Sequence, residues 1–145
     1  MRANTRYTAL TNMPSTIYID VPENFSFRAT VYSHGWCELA PFSLDTENWR
    51  LSYVFSDGKS VVPAVICEER NKLRIDLASS KIKLEKIVRD TRHILRLDDD
   101  LSGLYTAVAD NERLAWVAHR RAGRLLRSPT VWEDLVKTIC TTNCS

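Results

Sequence analysis

Two periodicities divide the chain. Ile17, Ile19 and Val21 alternate with polar residues, and so do Phe25, Phe27, Ala29 and Val31, which predicts two β-strands. His34 to Phe42 breaks the alternation, and Pro41 ends any helix there. Strand patterning resumes at Trp49, Leu51, Tyr53 and Phe55. Ser56-Asp57-Gly58-Lys59 predicts a hairpin turn, and Val61 to Cys67 the return strand, in which Pro63 marks an edge or a bulge. Glu69 to Lys72 turns again, and Leu73, Ile75 and Leu77 form the next strand. Strands joined by such short turns pair antiparallel, as a meander.

From about Ser79 the apolar spacing becomes helical. Leu84, Ile87, Val88, Thr91 and Leu95 share one helical face, suited to covering the sheet. Leu101, Leu104, Tyr105 and Val108 predict a short helix, and Leu114, Val117 and Ala118 another, with Gly123 as a C-cap. The last helix has the clearest grammar. Pro129 suits a helix start, Thr130 and Glu133 fit a capping box, and Trp132, Leu135, Val136, Ile139 and Cys140 form an apolar stripe. The pattern predicts an α+β fold: residues 1–14 disordered, 15–97 an antiparallel sheet domain with a covering helix, and 98–145 the first helices of an all-α domain. Helices this short are marginal alone. Their stripes therefore predict a bundle whose remaining helices lie beyond Ser145, making the chain the first part of a larger protein.

Composition narrows the class without naming a function. The 145 residues are 44% apolar, too rich for disorder, and the net charge of +2 is too small to establish nucleic-acid binding. No apolar run approaches the roughly 18 residues that span a bilayer, and Met1 to Met13 lacks a secretory apolar core. Cys37, Cys67, Cys140 and Cys144 form no CxxC pair, which fits reduced thiols in an intracellular protein (cytoplasm or nucleoid in a bacterium, nucleus in a eukaryote) and no contact with membrane. Arg113, His119, Arg120, Arg121, Arg124 and Arg127 crowd together as a solvated basic helix face that could meet phosphate.

Few constellations carry chemistry. His34 and Cys37 have ligand-like spacing without the second pair a tetrahedral site needs, so no metal is expected. Cys140 and Cys144 lack the four-cysteine spacing of an iron–sulfur cluster. Nothing places a cysteine beside His93 or His119 as a nucleophilic pair. Asp98, Asp99 and Asp100 precede a helix, where capping explains them. Trp36, Trp49, Tyr53 and Phe55 alternate with polar neighbours and read as sheet core before they read as a base-stacking platform. No phosphate-binding or dinucleotide glycine loop occurs, and no cofactor is expected.

Gly123-Arg124-Leu125-Leu126-Arg127, then Ser128-Pro129-Thr130 with Trp132 to Val136, then Ile139-Cys140-Thr141-Thr142-Asn143, resemble the helix-hairpin-helix DNA glycosylases, in the branch of 8-oxoguanine and 3-methyladenine DNA glycosylases. Arg96-Leu97-Asp98 leading into Leu101 to Tyr105 resembles the entry to that family's helical domain. The likeness is strongest over the last fifty residues or so. It implies a sheet related to the TATA-binding-protein fold, and base-excision repair of double-stranded DNA carrying an oxidised or alkylated base. Such enzymes flip the base into a pocket. By resemblance, Asn143 fills the vacated stack, Thr142 accompanies it at the DNA, and Thr138 and Cys144 line the mouth of the base pocket. Cys144 replaces the second amide common in that branch. The resemblance places the glycine-rich hairpin, the catalytic aspartate and any lyase lysine farther along. No catalytic residue, metal or cofactor site is therefore expected here, and the chain alone should be inactive. The rival expectation is a complete, non-catalytic interaction module with a TATA-binding-like sheet.

Overall fold

Alternating apolar residues pair face to face in the computed structural model, which describes residues 13–142. β1 (Ser15–Asp20), β2 (Ser43–Asp45), β3 (Arg50–Ser56), β4 (Val61–Glu69) and β5 (Lys72–Leu77) form one antiparallel sheet in the order β1-β5-β4-β3-β2. β2 to β5 are the expected meander, and β1 closes the far side against β5. The register sets Leu51 opposite Ile66, Tyr53 opposite Ala64, Phe55 opposite Val62 and Ile66 opposite Ile75. All of these are buried on one face. At the β3–β4 hairpin, Asp57 Oδ1 accepts the amides of Lys59 at 2.9 Å and Ser60 at 2.7 Å.

The helices are α1 (Phe27–Val31), α2 (Leu84–Ile94), α3 (Ser102–Val108), α4 (Ala115–His119) and α5 (Val131–Thr142). Ile87 and Ile94 of α2 join the sheet residues in one core, so this helix covers the sheet as its spacing predicts. None of the helices among the described residues is long and apolar enough to cross a membrane.

Two expectations about the sheet region are corrected. The second predicted strand, Phe25 to Val31, is instead helical over α1. Ser26 Oγ caps it by accepting the Ala29 amide at 3.3 Å, and the buried residues Phe27, Thr30 and Val31 follow helical spacing. A run of apolar residues at 25, 27 and 31 satisfies both templates, and the cap decides between them. Pro63 lies on a central strand, not on an edge or bulge. Its carbonyl accepts the Ala78 amide at 2.9 Å, just past the end of β5. In an antiparallel strand a residue's N–H and C=O point to the same neighbour. The missing donor therefore faces the end of β5, and pairing with β3 is intact.

The helical segment ends differently from its prediction. α2 and α4 each close with an arginine in the left-handed region, Arg96 at φ 54° and Arg121 at φ 52°. Leu97 N–H then reaches the Arg92 carbonyl, and Ala122 N–H the Val117 carbonyl, each at 2.9 Å. These are the six-to-one bonds of a Schellman cap. The cap residue is thus Arg121, not Gly123. Gly123 follows at φ 111°, where an added Cβ would come 3.3 Å from Leu104 Cδ2. The acidic run is divided: Asp98 pairs with Arg92, Asp99 with Arg96, and Asp100 Oδ1 accepts the Ser102 amide at the start of α3.

Residues 122–128 then run as an extended strap over the core. Leu126 is buried, its amide bonded to Ser33 Oγ at 3.1 Å, and Arg127 N–H reaches the Ile94 carbonyl at 3.0 Å. Arg124, read from sequence as part of a solvated basic face, is only 1% exposed. Its guanidinium donates to the carbonyls of Arg96, Asn24 and Asp99, to Asn24 Oδ1 and to the Tyr105 hydroxyl, at 3.0–3.5 Å. Arg127 is also drawn out of the basic cluster, with Nε 3.6 Å from an Asp134 carboxylate oxygen.

Replacing Arg124 by Ala strands these acceptors in a buried site and should cost about 3–5 kcal/mol in urea unfolding. Arg124→Lys should recover only part of this, because one ammonium cannot match the planar fork. Gly123→Ala should cost about 1 kcal/mol or more, since a side chain at that φ is strained and crowds Leu104.

Candidate nucleic-acid interface

Helix α5 carries the residues singled out by the sequence. Its start follows the expected grammar in part. Thr130 Oγ1 accepts the Glu133 amide at 3.2 Å, which is one half of a capping box. The other half is absent: the Glu133 carboxylate turns away to Lys137 Nζ at 2.8 Å and to the Tyr53 hydroxyl at 3.5 Å. Asp134 instead closes the start, its Oδ1 accepting the Ser128 amide at 2.7 Å.

The polar side of α5 faces the rest of the protein. Lys137 is 7% exposed, and its ammonium donates to Ser128 Oγ at 2.9 Å and to Glu133. It also sits 4.4 Å from the Phe42 ring centre and 5.7 Å from that of Trp36. Paired charge and aromatic faces together compensate the lost hydration of a buried ammonium. The apolar stripe faces outward. Trp132 is 73% exposed, and Val131, Leu135, Val136 and Ile139 are exposed with it. An amphipathic helix ordinarily buries its apolar stripe. Here that stripe forms an open surface.

Of the predicted site residues, Thr138 and Thr142 lie on this helix. Thr138 is on its exposed side, with Oγ1 donating to the Asp134 carbonyl at 2.8 Å. Thr141 Oγ1 bonds back to the Lys137 carbonyl at 2.9 Å. Thr142 is the final residue of α5, while Asn143 and Cys144 lie outside the described residues. The sequence reading missed Lys137 and Glu133 as anchors. Their four-residue spacing was the available signal, but it reads equally as an exposed ion pair.

A pocket of about 350 Å³ lies beside α5, lined by Tyr53, Lys86, Arg89, Asp90, His93 and Glu133 among others. Its carboxylates are engaged: Asp90 pairs with Lys86 and Arg89, and Glu133 with Lys137. Burial, helped by the Glu133 and Asp90 charges, pushes the Tyr53 phenol well above its usual range. Tyr53 is therefore a protonated donor at neutral pH, not a nucleophile. Cys37 is buried, and burial raises its thiol pKa. Among the described residues, no three or more His, Cys, Asp or Glu side chains cluster to hold a metal ion.

Compared with known proteins, the chain matches no family model, no curated protein sequence and no solved structure.

Because the stripe is open, Trp132→Ala and Leu135→Ala should each change the stability of this chain by less than about 0.5 kcal/mol. Leu126→Ala, in the core, should cost about 2–5 kcal/mol in the same denaturant titration. The His34 ring stacks on Trp36 with centres 4.7 Å apart. Burial lowers its pKa below the ordinary 6.5, with the Asp134 carboxylate opposing part of that effect. Between the lowered value and 6.5 the unfolded chain binds more protons, so stability should rise with pH through this window and be lost on acidification. His34→Gln should flatten that part of a stability profile measured from neutral to mildly acid pH.

Proposed function

We propose that this chain is the N-terminal part of a helix-hairpin-helix DNA glycosylase that removes an oxidised or alkylated base from double-stranded DNA. The observation that carries the reading is the orientation of α5. Its polar side is anchored on Glu133 and Lys137, and its apolar stripe is left open along Trp132, Leu135 and Val136. An open stripe of this length is what further helices of the same domain would cover. The segments that carry the family resemblance are contiguous with it: the strap from Gly123 to Arg127, the capped start at Ser128 to Thr130, and the tip from Thr141 to Asn143.

In this reading the sheet, α2 and the strap form a rigid mount for α5. The helix projects its end toward the duplex. Asn143 enters the stack behind the flipped base, where a short amide offers both a donor and an acceptor to the orphaned partner. Thr142 lies beside it, and Thr138 and Cys144 border the base pocket. The groups that break the glycosidic bond are supplied by chain following this segment.

The test uses the complete product of the reading frame, together with the 145-residue chain, on duplexes carrying 8-oxoguanine or 3-methyladenine. The complete protein should release a base in single turnover, and the chain alone should not. Asn143→Ala in the complete protein should weaken lesion-duplex binding about tenfold, equivalent to about 1.4 kcal/mol. Base release by the chain alone, a natural stop after Ser145, or unchanged lesion affinity in the variant would each defeat the proposal. A stop at that position would favour the non-catalytic interaction module.

A further inference from the structure

A second surface has a different chemistry from α5. A cleft of about 570 Å³ opens between α1, the turn before β3, α4 and the strap, with Arg28, Tyr32, Trp49, Trp116, Arg120 and Leu125 on its walls. Its size falls within the roughly 300–1,000 Å³ typical of ligand clefts. Arginine and aromatic side chains dominate it, and no carboxylate lines it. Trp116 is 53% exposed and Tyr32 58%. Tyr32 meets the Trp49 ring edge-on at 6.5 Å, and the Arg28 guanidinium carbon lies 4.7 Å from the same ring centre.

Neither arginine charge is met by a carboxylate. Arg74, Arg92 and Arg96 are ion-paired elsewhere on the surface. The guanidinium groups of Arg28 and Arg120 have no hydrogen-bond or carboxylate partner among the described residues. Trp49 closes the turn between β2 and β3 at a φ of 52°, the same left-handed region that Arg70, Asn71, Arg96 and Arg121 take at turns and helix ends.

We propose that this cleft binds single-stranded nucleic acid, with unstacked bases on the exposed rings of Trp116 and Tyr32 and the flanking phosphates on Arg28 and Arg120. Every base has a π-face, so aromatic rings accept bases without regard to sequence. Guanidinium groups match phosphate oxygens in pairs. An acidic peptide would use the arginines but leave two exposed aromatic rings without planar partners. The chain's own residues 1–12 include Arg2 and Arg6 and no acidic side chain, so they do not complement an arginine-lined cleft. The proposal is independent of the glycosylase reading, because it concerns the 145-residue chain itself and residues distant in sequence from Asn143.

The experiment is fluorescence anisotropy of a labelled deoxythymidine oligomer of about 12 nucleotides, titrated with the 145-residue chain across about 50 to 200 mM salt. Saturable binding is expected, with quenching of tryptophan fluorescence. Trp116→Ala should weaken binding about tenfold. Arg28→Gln combined with Arg120→Gln should lower the magnitude of the slope of log affinity against log salt by about 1.4, since each phosphate contact on a single strand contributes about 0.7. Tyr18→Ala and Lys81→Gln, exposed and outside the cleft, should bind as the parent does. Circular dichroism establishes that each variant is folded, and the two arginine changes, both at exposed positions, test the cleft even if Trp116→Ala is unstable. No binding by the parent chain, or an unchanged affinity and salt slope in the folded variants, overturns the proposal. Displacement by polyglutamate as effective as by unlabelled oligomer would identify an acidic peptide instead. Equal competition by thymidine monophosphate would identify a free-nucleotide site.

Discussion

One buried guanidinium sets how the two halves of this protein meet. Arg124 reaches the Asn24 carbonyl before α1 and the Arg96 and Asp99 carbonyls between α2 and α3, so a single side chain ties the strap to two stretches far from each other in sequence. A planar group with donors in fixed directions holds those segments at fixed angles as well as fixed distances. The neighbouring Leu126 then fills the core. The strap ends at Ser128, whose amide and hydroxyl bond Asp134 and Lys137 and so set where α5 begins.

The consequence is visible in α5. Helices are commonly oriented by burying their apolar side, but this one is oriented by Lys137, Glu133 and Asp134. A buried ion pair contributes little net stability once its desolvation is counted, yet it is selective about geometry. An anchor of that kind leaves the apolar side available without leaving the helix loose. The cleft around Trp116 follows from the same arrangement, because the strap forms one of its walls and α4 another.

Much of the fold was legible in the pattern of residues. The strands holding Leu51, Tyr53 and Phe55, then Leu73, Ile75 and Leu77, follow from period-two spacing, because one sheet face is buried and the other is not. The covering helix α2 follows from its apolar face. Where two templates fit, the pattern failed: Phe25, Phe27 and Val31 read as a strand until the Ser26 cap is seen. Pro63 misled because proline removes only one donor, and whether that donor was needed depends on where the neighbouring strand stops. The stripe on α5 was read correctly as to residues, but its outward direction is a tertiary fact with no local signature. Arg124 was invisible for a similar reason. A lone arginine among arginines looks solvated, and only the convergence of distant carbonyls shows otherwise.

The flanks of the sheet are unequal. β2 has three residues, and its Asp45 carboxylate is folded back onto the amides of Glu47 and Asn48. So short a margin gives an incoming chain too few amides to grip, which closes that side to strand addition. β1 spans six residues and forms the opposite margin. Among the described residues β1 is therefore the longer margin for edge-to-edge association, and it ends on Asp20, ion-paired with Lys72 of β5.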